Sequence, residues 1–81
     1  MQEIRNTVKG YILEEFLQGE DPDKLTDSTP LVTGGILDSI ATLKLVSFLE
    51  SQYKIELAPH ETDIDHLNTI NDIATLVGSK L

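Results

Sequence analysis

The residues best placed to do chemistry are Asp38 and Ser39, in the run Gly34-Gly35-Ile36-Leu37-Asp38-Ser39-Ile40. This run lies where a long irregular stretch meets a helical pattern. Two glycines let the chain turn tightly just before the helix. Asp38 or Ser39 can accept from the backbone N–H groups that a first helical turn leaves unpaired, so each is a candidate N-cap. A helix start also presents those N–H groups, and the positive end of the helix dipole, to an anion. An exposed Ser39 hydroxyl here is suited to carry a phosphate-linked group. Asp38, if turned away from that phosphate, can hold a metal ion or a basic residue of a modifying enzyme. By residue type alone, capping is the commoner use of such a pair.

The elements that must position this pair follow from hydrophobic spacing. Ile4, Val8, Tyr11, Ile12 and Phe16 recur at helical intervals and predict a first helix over about 2–17, stopped by Gly19, Glu20, Asp21 and Pro22. From Gln18 to Asp38 the chain reads as a loop with room for one short helical turn. Its Leu25, Leu31, Val32, Ile36 and Leu37 imply that it is pinned to the core. A central helix is predicted from Ser39 to Tyr53, with Ile40, Leu43, Val46 and Ser47 along one side and Leu45, Phe48, Leu49 and Tyr53 widening the apolar surface. Ile55-Glu56-Leu57 alternates like a strand but has no partner strand, so it reads as an extended linker. Pro59 suits a helix start, and a short third helix or turn is expected from about His60 to His66. Thr69 is a good N-cap for a last helix in which Ile70, Ile73, Ala74 and Val77 keep period, with Gly78 marking fraying. The expectation is an all-α fold: a small four-helix bundle of three longer helices and one short one, with a long loop between the first and second helices. The whole chain, residues 1–81, forms a single domain in this reading.

Composition narrows the partners. Acids outnumber bases 14 to 6, giving a formal net charge of −8, which disfavours nucleic acid and anionic membranes and favours basic protein surfaces. No Lys or Arg lies between Lys54 and Lys80, whereas Glu56, Glu61, Asp63, Asp65 and Asp72 all do. That stretch is either a solvated face or a surface for partners. There is no Cys, so no disulfide and no thiolate metal site, which fits a reducing compartment such as the cytoplasm. No signal peptide and no membrane-spanning run is recognisable.

Other constellations are weaker. Nothing in the sequence brings Ser39 together with His60 or His66 as a catalytic triad. The two histidines are six positions apart and do not share a helix face. Asp21 and Asp23 lack the further ligands and the central glycine of a calcium loop. Lys9, Lys44 and Lys54 are scattered and form no nucleic-acid patch. Size and the lack of a catalytic constellation disfavour an independent enzyme.

Gly35-Ile36-Leu37-Asp38-Ser39-Ile40 resembles the attachment motif of the acyl and peptidyl carrier protein family, which centres on Asp-Ser-Leu. Thr69-Ile70-Asn71-Asp72-Ile73 is similar to that family's last-helix opening, and the order of elements matches over nearly the whole chain. The resemblance implies that Ser39 is esterified with 4′-phosphopantetheine by a phosphopantetheinyl transferase, with Asp38 as the adjacent motif acid. It implies a thioester carrier that performs no bond chemistry itself. Its partners would be an acyl- or aminoacyl-loading enzyme and a downstream acyltransferase, synthase or tailoring enzyme. Ile40 and Leu43 are implied as apolar contacts near Ser39, against core packing as the alternative, and Glu61, Asp63 and Asp65 as charged contacts.

The sequence departs from the family's common form at Ile40, where Leu is usual. Ala41 and Lys44 stand where fatty-acid carriers are usually acidic. These differences favour polyketide, nonribosomal-peptide or aminoacyl-transfer chemistry over primary fatty-acid synthesis. Met1 and the lack of linker-like tails favour a discrete protein, and a monomer is the default expectation. The rival reading is an unmodified helical interaction module in which Ser39 is only a cap.

Overall fold

The computed structural model describes residues 2–19 and 22–81. Four α-helices follow in order: α1 (Gln2–Phe16), α2 (Ser39–Tyr53), α3 (Ile64–Leu67) and α4 (Ile70–Lys80). Single 3₁₀ turns occupy Pro22–Lys24 and Pro59–Glu61. No strand occurs among the described residues, and Ile55 to Leu57 is an extended linker as expected. Glu20 and Asp21, part of the expected stop after α1 and of the dismissed calcium loop, lie outside the described residues.

One apolar core joins the elements. From α1 come Ile4, Val8 and Ile12. From α4 come Ile70, Ile73, Ala74, Leu76 and Val77. These two helices pack closely along one another, and α3 packs against the start of α4. The α2 helix adds Ala41, Leu45 and Leu49, one residue per turn at i, i+4 and i+8. This corrects the expected stripe on α2: Ile40 and Leu43 are 67% and 68% exposed, and Val46 is only half-buried. Tyr11 is partly buried and packs against this core as expected. It stacks on Phe48 of α2 at a centroid distance of 4.0 Å and meets Phe16 edge-on at 5.7 Å.

The long loop is held down as predicted. Leu25, Leu31 and Leu37 are buried, while Asn71 N–H donates to Asp27 O at 3.0 Å and Leu31 N–H donates to Asn68 O. The double glycine is required sterically. A Cβ on Gly34 would fall 2.2 Å from Pro30 O, and Gly35 has φ +83°.

Two helix boundaries differ from expectation. The segment from His60 to His66 is not one helix, because Asp63 caps a new start: its carboxylate accepts from His66 N–H at 3.1 Å. Gly78 does not fray α4. The helix runs on to Lys80, whose Nζ lies 2.6 Å from Glu61 Oε1 and ties down the last turn. Thr69 caps α4 as expected, with Asp72 N–H donating to its Oγ1 at 3.0 Å.

Candidate functional site

At the start of α2 the two candidate caps divide the work. Asp38 has extended backbone, and its Oδ1 accepts from Ala41 N–H at 2.7 Å. Its carbonyl accepts from both Thr42 N–H (2.9 Å) and Thr42 Oγ1–H (2.8 Å). Asp38 is therefore the N-cap and Ser39 is the first helical residue. Ser39 is exposed, and its hydroxyl makes no hydrogen bond among the described residues. The helix does not need that hydroxyl, so it is free to react.

Ser39 and Asp38 line an open groove of about 840 Å³. One wall is Val32 and Leu37 of the loop with Thr42, Leu43 and Val46 of α2. The opposite wall is Thr62, Asp63, Ile64 and Asp65. Ile64 is 51% exposed, so with Ile40 and Leu43 it leaves large apolar side chains in solvent around Ser39. On the other flank of α2, Ile40, Leu43, Lys44 and Ser47 border a shallower depression with Tyr11 and Phe48. Leu43 is the ridge between the two.

The three acids singled out from the sequence are not equivalent. Asp63 and Asp65 line the groove, whereas Glu61 does not. Glu61 Oε1 accepts from Ala58 N–H at 2.9 Å and pairs with Lys80. The Lys80 contact, then the Ala58 amide, hold its carboxyl below the usual range. Asp63 hydrogen-bonds His66 Nδ1 at 2.6 Å. That contact lowers Asp63 and raises His66. Asp65 alone makes no hydrogen bond among the described residues. Ala41, read as a replaced docking position, faces the core at 7% exposure, because it begins the α2 stripe; Lys44 is exposed.

The sequence matches the profile of the family described as phosphopantetheine attachment site over residues 11–77, most of the chain, with Asp38 and Ser39 inside the match. The chain belongs to this carrier family. Among curated relatives, a D-alanyl carrier protein of Lactococcus lactis is 37% identical over 78 residues, covering 96% of this chain and 87% of the relative. A probable acyl carrier protein of a Serratia species is 34% identical over 74 residues, covering 91% and 84%. Among solved structures, a chain in the crystal structure of an FAD-dependent dehydrogenase superposes with TM-score 0.78 at 30% identity, covering 86% of this chain and 97% of that one.

Membership of the family brings a covalently attached 4′-phosphopantetheine, and the geometry fits one. An ester needs an accessible hydroxyl with no structural duty, and Ser39 offers it. The N–H groups of Ser39 and Ile40, in the first turn of α2, belong to the set that a helix start leaves available to an anion. Among the described residues no three carboxylate or imidazole groups cluster to hold a metal ion, and no helix is long and apolar enough to cross a membrane.

Proposed function

We propose that Ser39 is the attachment residue and that the protein carries aminoacyl or related acyl groups between enzymes. The observation that carries this reading is the free, exposed Ser39 hydroxyl beside a capping Asp38. Asp38 rather than Ser39 caps α2, which supports this reading over an unmodified interaction module with Ser39 as the cap. When attached, the arm supplies a terminal thiol that holds an acyl group as a thioester. The chain's own residues do the rest. Asp38 fixes the start of α2, so Ser39 keeps one orientation. Ile40 and Leu43 offer apolar contact to a docking enzyme, and Asp65 and Asp63 offer charge to a basic one. Docking of this kind speeds encounter without long residence, which suits a carrier that must leave one enzyme for the next.

The D-alanyl carrier relative supports an aminoacyl cargo, and Lys44 on the docking face supports partners other than those of primary fatty-acid synthesis. Polyketide or nonribosomal-peptide assembly would use the same arm. The likeness to a chain in an FAD-dependent dehydrogenase structure favours a flavin enzyme as one downstream tailoring partner. In this reading the carrier is a cytoplasmic monomer and catalyses nothing itself. Its partners are a phosphopantetheinyl transferase, a loading enzyme and a downstream acyltransferase or synthase.

Intact-protein mass after incubation with coenzyme A and a promiscuous phosphopantetheinyl transferase tests the reading. The parent should gain one phosphopantetheine and Ser39→Ala none. An unchanged parent mass, beside a carrier modified in the same tube, would return the protein to the interaction-module reading.

A further inference from the structure

The groove beside Ser39 has walls that lie far apart in sequence, and one side chain joins them. Asn68 stands between α3 and α4. Its backbone N–H closes α3 by donating to Ile64 O at 2.9 Å, and Thr69, not Asn68, caps α4. Neither helix uses the Asn68 side chain. Its Oδ1 is committed instead to the loop, accepting from Val32 N–H at 3.0 Å, Thr33 N–H at 3.0 Å and Thr33 Oγ1–H at 3.3 Å. The Asn68 carbonyl takes a further bond from Leu31 N–H.

From there the connection to Ser39 runs through backbone alone. Leu31 O accepts from both Ile36 N–H and Leu37 N–H at 2.9 Å, and Leu37 directly precedes the capping Asp38. On the other side, the α3 turn that Asn68 closes begins at Ile64, on the opposite wall of the groove. A polar side chain that serves no local cap, yet satisfies two backbone donors of a distant loop, acts as a latch.

We propose that Asn68 is a positioning residue for the Ser39 site: its side-chain oxygen locks the loop that leads into Asp38–Ser39 to the α3 wall, and so fixes the groove that a modifying enzyme meets. This rests on the reading of Ser39 as the attachment residue. Asn68 touches neither Ser39 nor the reacting atoms; it acts through the loop.

Three variants test it. Asn68→Leu removes the acceptor at similar volume. Asn68→Asp keeps an acceptor. Ile73→Val, in the core and away from the latch, controls for general destabilisation. If Asn68→Leu does not fold, Asn68→Ser, whose hydroxyl is too short to serve both amides, replaces it. Amide hydrogen exchange on the unmodified protein should show Val32 and Thr33 roughly fivefold to tenfold faster in Asn68→Leu, the scale of one lost net hydrogen bond, and near parental in Asn68→Asp. With coenzyme A and a phosphopantetheinyl transferase, Asn68→Leu should raise KM for the carrier by about fivefold with kcat little changed, while Asn68→Asp and Ile73→Val stay near the parent. Unchanged exchange at Val32 and Thr33, or transferase kinetics in Asn68→Leu no different from Ile73→Val, would overturn the proposal with the Ser39 reading intact. A parent that accepts no phosphopantetheine would overturn the Ser39 reading and the positioning role together.

Discussion

Leu43 and Leu45 sit two residues apart on α2, yet Leu45 is wholly buried and Leu43 is 68% exposed. The inner side of α2, Ala41, Leu45 and Leu49, belongs to the core shared with α1 and α4. The outer side, Ile40 and Leu43, lies outside that core and is mostly in solvent. An exposed leucine alone means little, because much of any protein surface is apolar. Here Leu43 and Ile64 line the same groove as an unengaged serine hydroxyl, Ile40 directly follows that serine, and all three aliphatic side chains are exposed. The difference teaches that α2 is divided: one side holds the fold, and the other leaves apolar side chains in solvent, which is the surface the proposed function gives to a partner.

The largest expected effect is also the sharpest contrast between those sides. Leu45→Ala should cost roughly 2–5 kcal/mol, as core truncations do, while Leu43→Ala should stay within about 0.5 kcal/mol of the parent. Urea unfolding measures both. Comparable losses would mean that the outer side is structural after all, and the division would fail. Leu43→Ala should instead weaken recognition by the phosphopantetheinyl transferase, seen in KM.

A smaller effect separates Asp38 from its neighbour. Asp38→Ala should lose about 1 kcal/mol, the usual value of an N-cap, with Asp38→Asn near parental. The Ser39→Ala protein used in the mass experiment should unfold at the parental midpoint. A stability loss on removing Ser39 would show that its hydroxyl is part of the cap and would blur the distinction.

The smallest effect lies on the opposite wall. The hydrogen bond to Asp63 is the main cause that raises His66 above its ordinary 6.5, and the hydrogen bond to His66 is the main cause that lowers Asp63 below its ordinary 3.8. The His66 contribution is complete below 6.5 and fades as pH rises through its raised value. The Asp63 contribution is complete above 3.8 and fades as pH falls through its lowered value. The α3 wall is therefore held best between those two ordinary values. An NMR titration should place His66 above 6.5 in the parent and lower in Asp63→Asn, which can still cap α3. The same titration midpoint in both proteins would remove Asp63 as the cause.

Much of this was legible in the sequence. The bounds of α2, the Thr69 cap and the pinned loop follow from capping chemistry and from apolar residues placed where a free loop has no use for them. The orientation of α2 was not, because Ile40, Ala41, Leu43, Leu45, Val46, Phe48 and Leu49 leave it apolar nearly all round, and periodicity then selects no single stripe. Asp38 and Ser39 are equally good caps by type, so only geometry could separate them. Glu61 with Lys80, and Asn68 with Val32 and Thr33, are long-range polar pairings, for which a lone sequence holds no periodic signal.

The placement of Asp38 and Ser39 has a practical consequence. With Ser39 as the attachment residue, esterifying a hydroxyl that bears no part of the helix start should leave the folded framework unaltered, while the phosphodiester would add one negative charge to a chain already at −8. Unmodified and modified molecules would then have the same shape and separate on an anion exchanger. An enzyme that must tell them apart has to read the arm or the added charge, because the scaffold beneath is common to both.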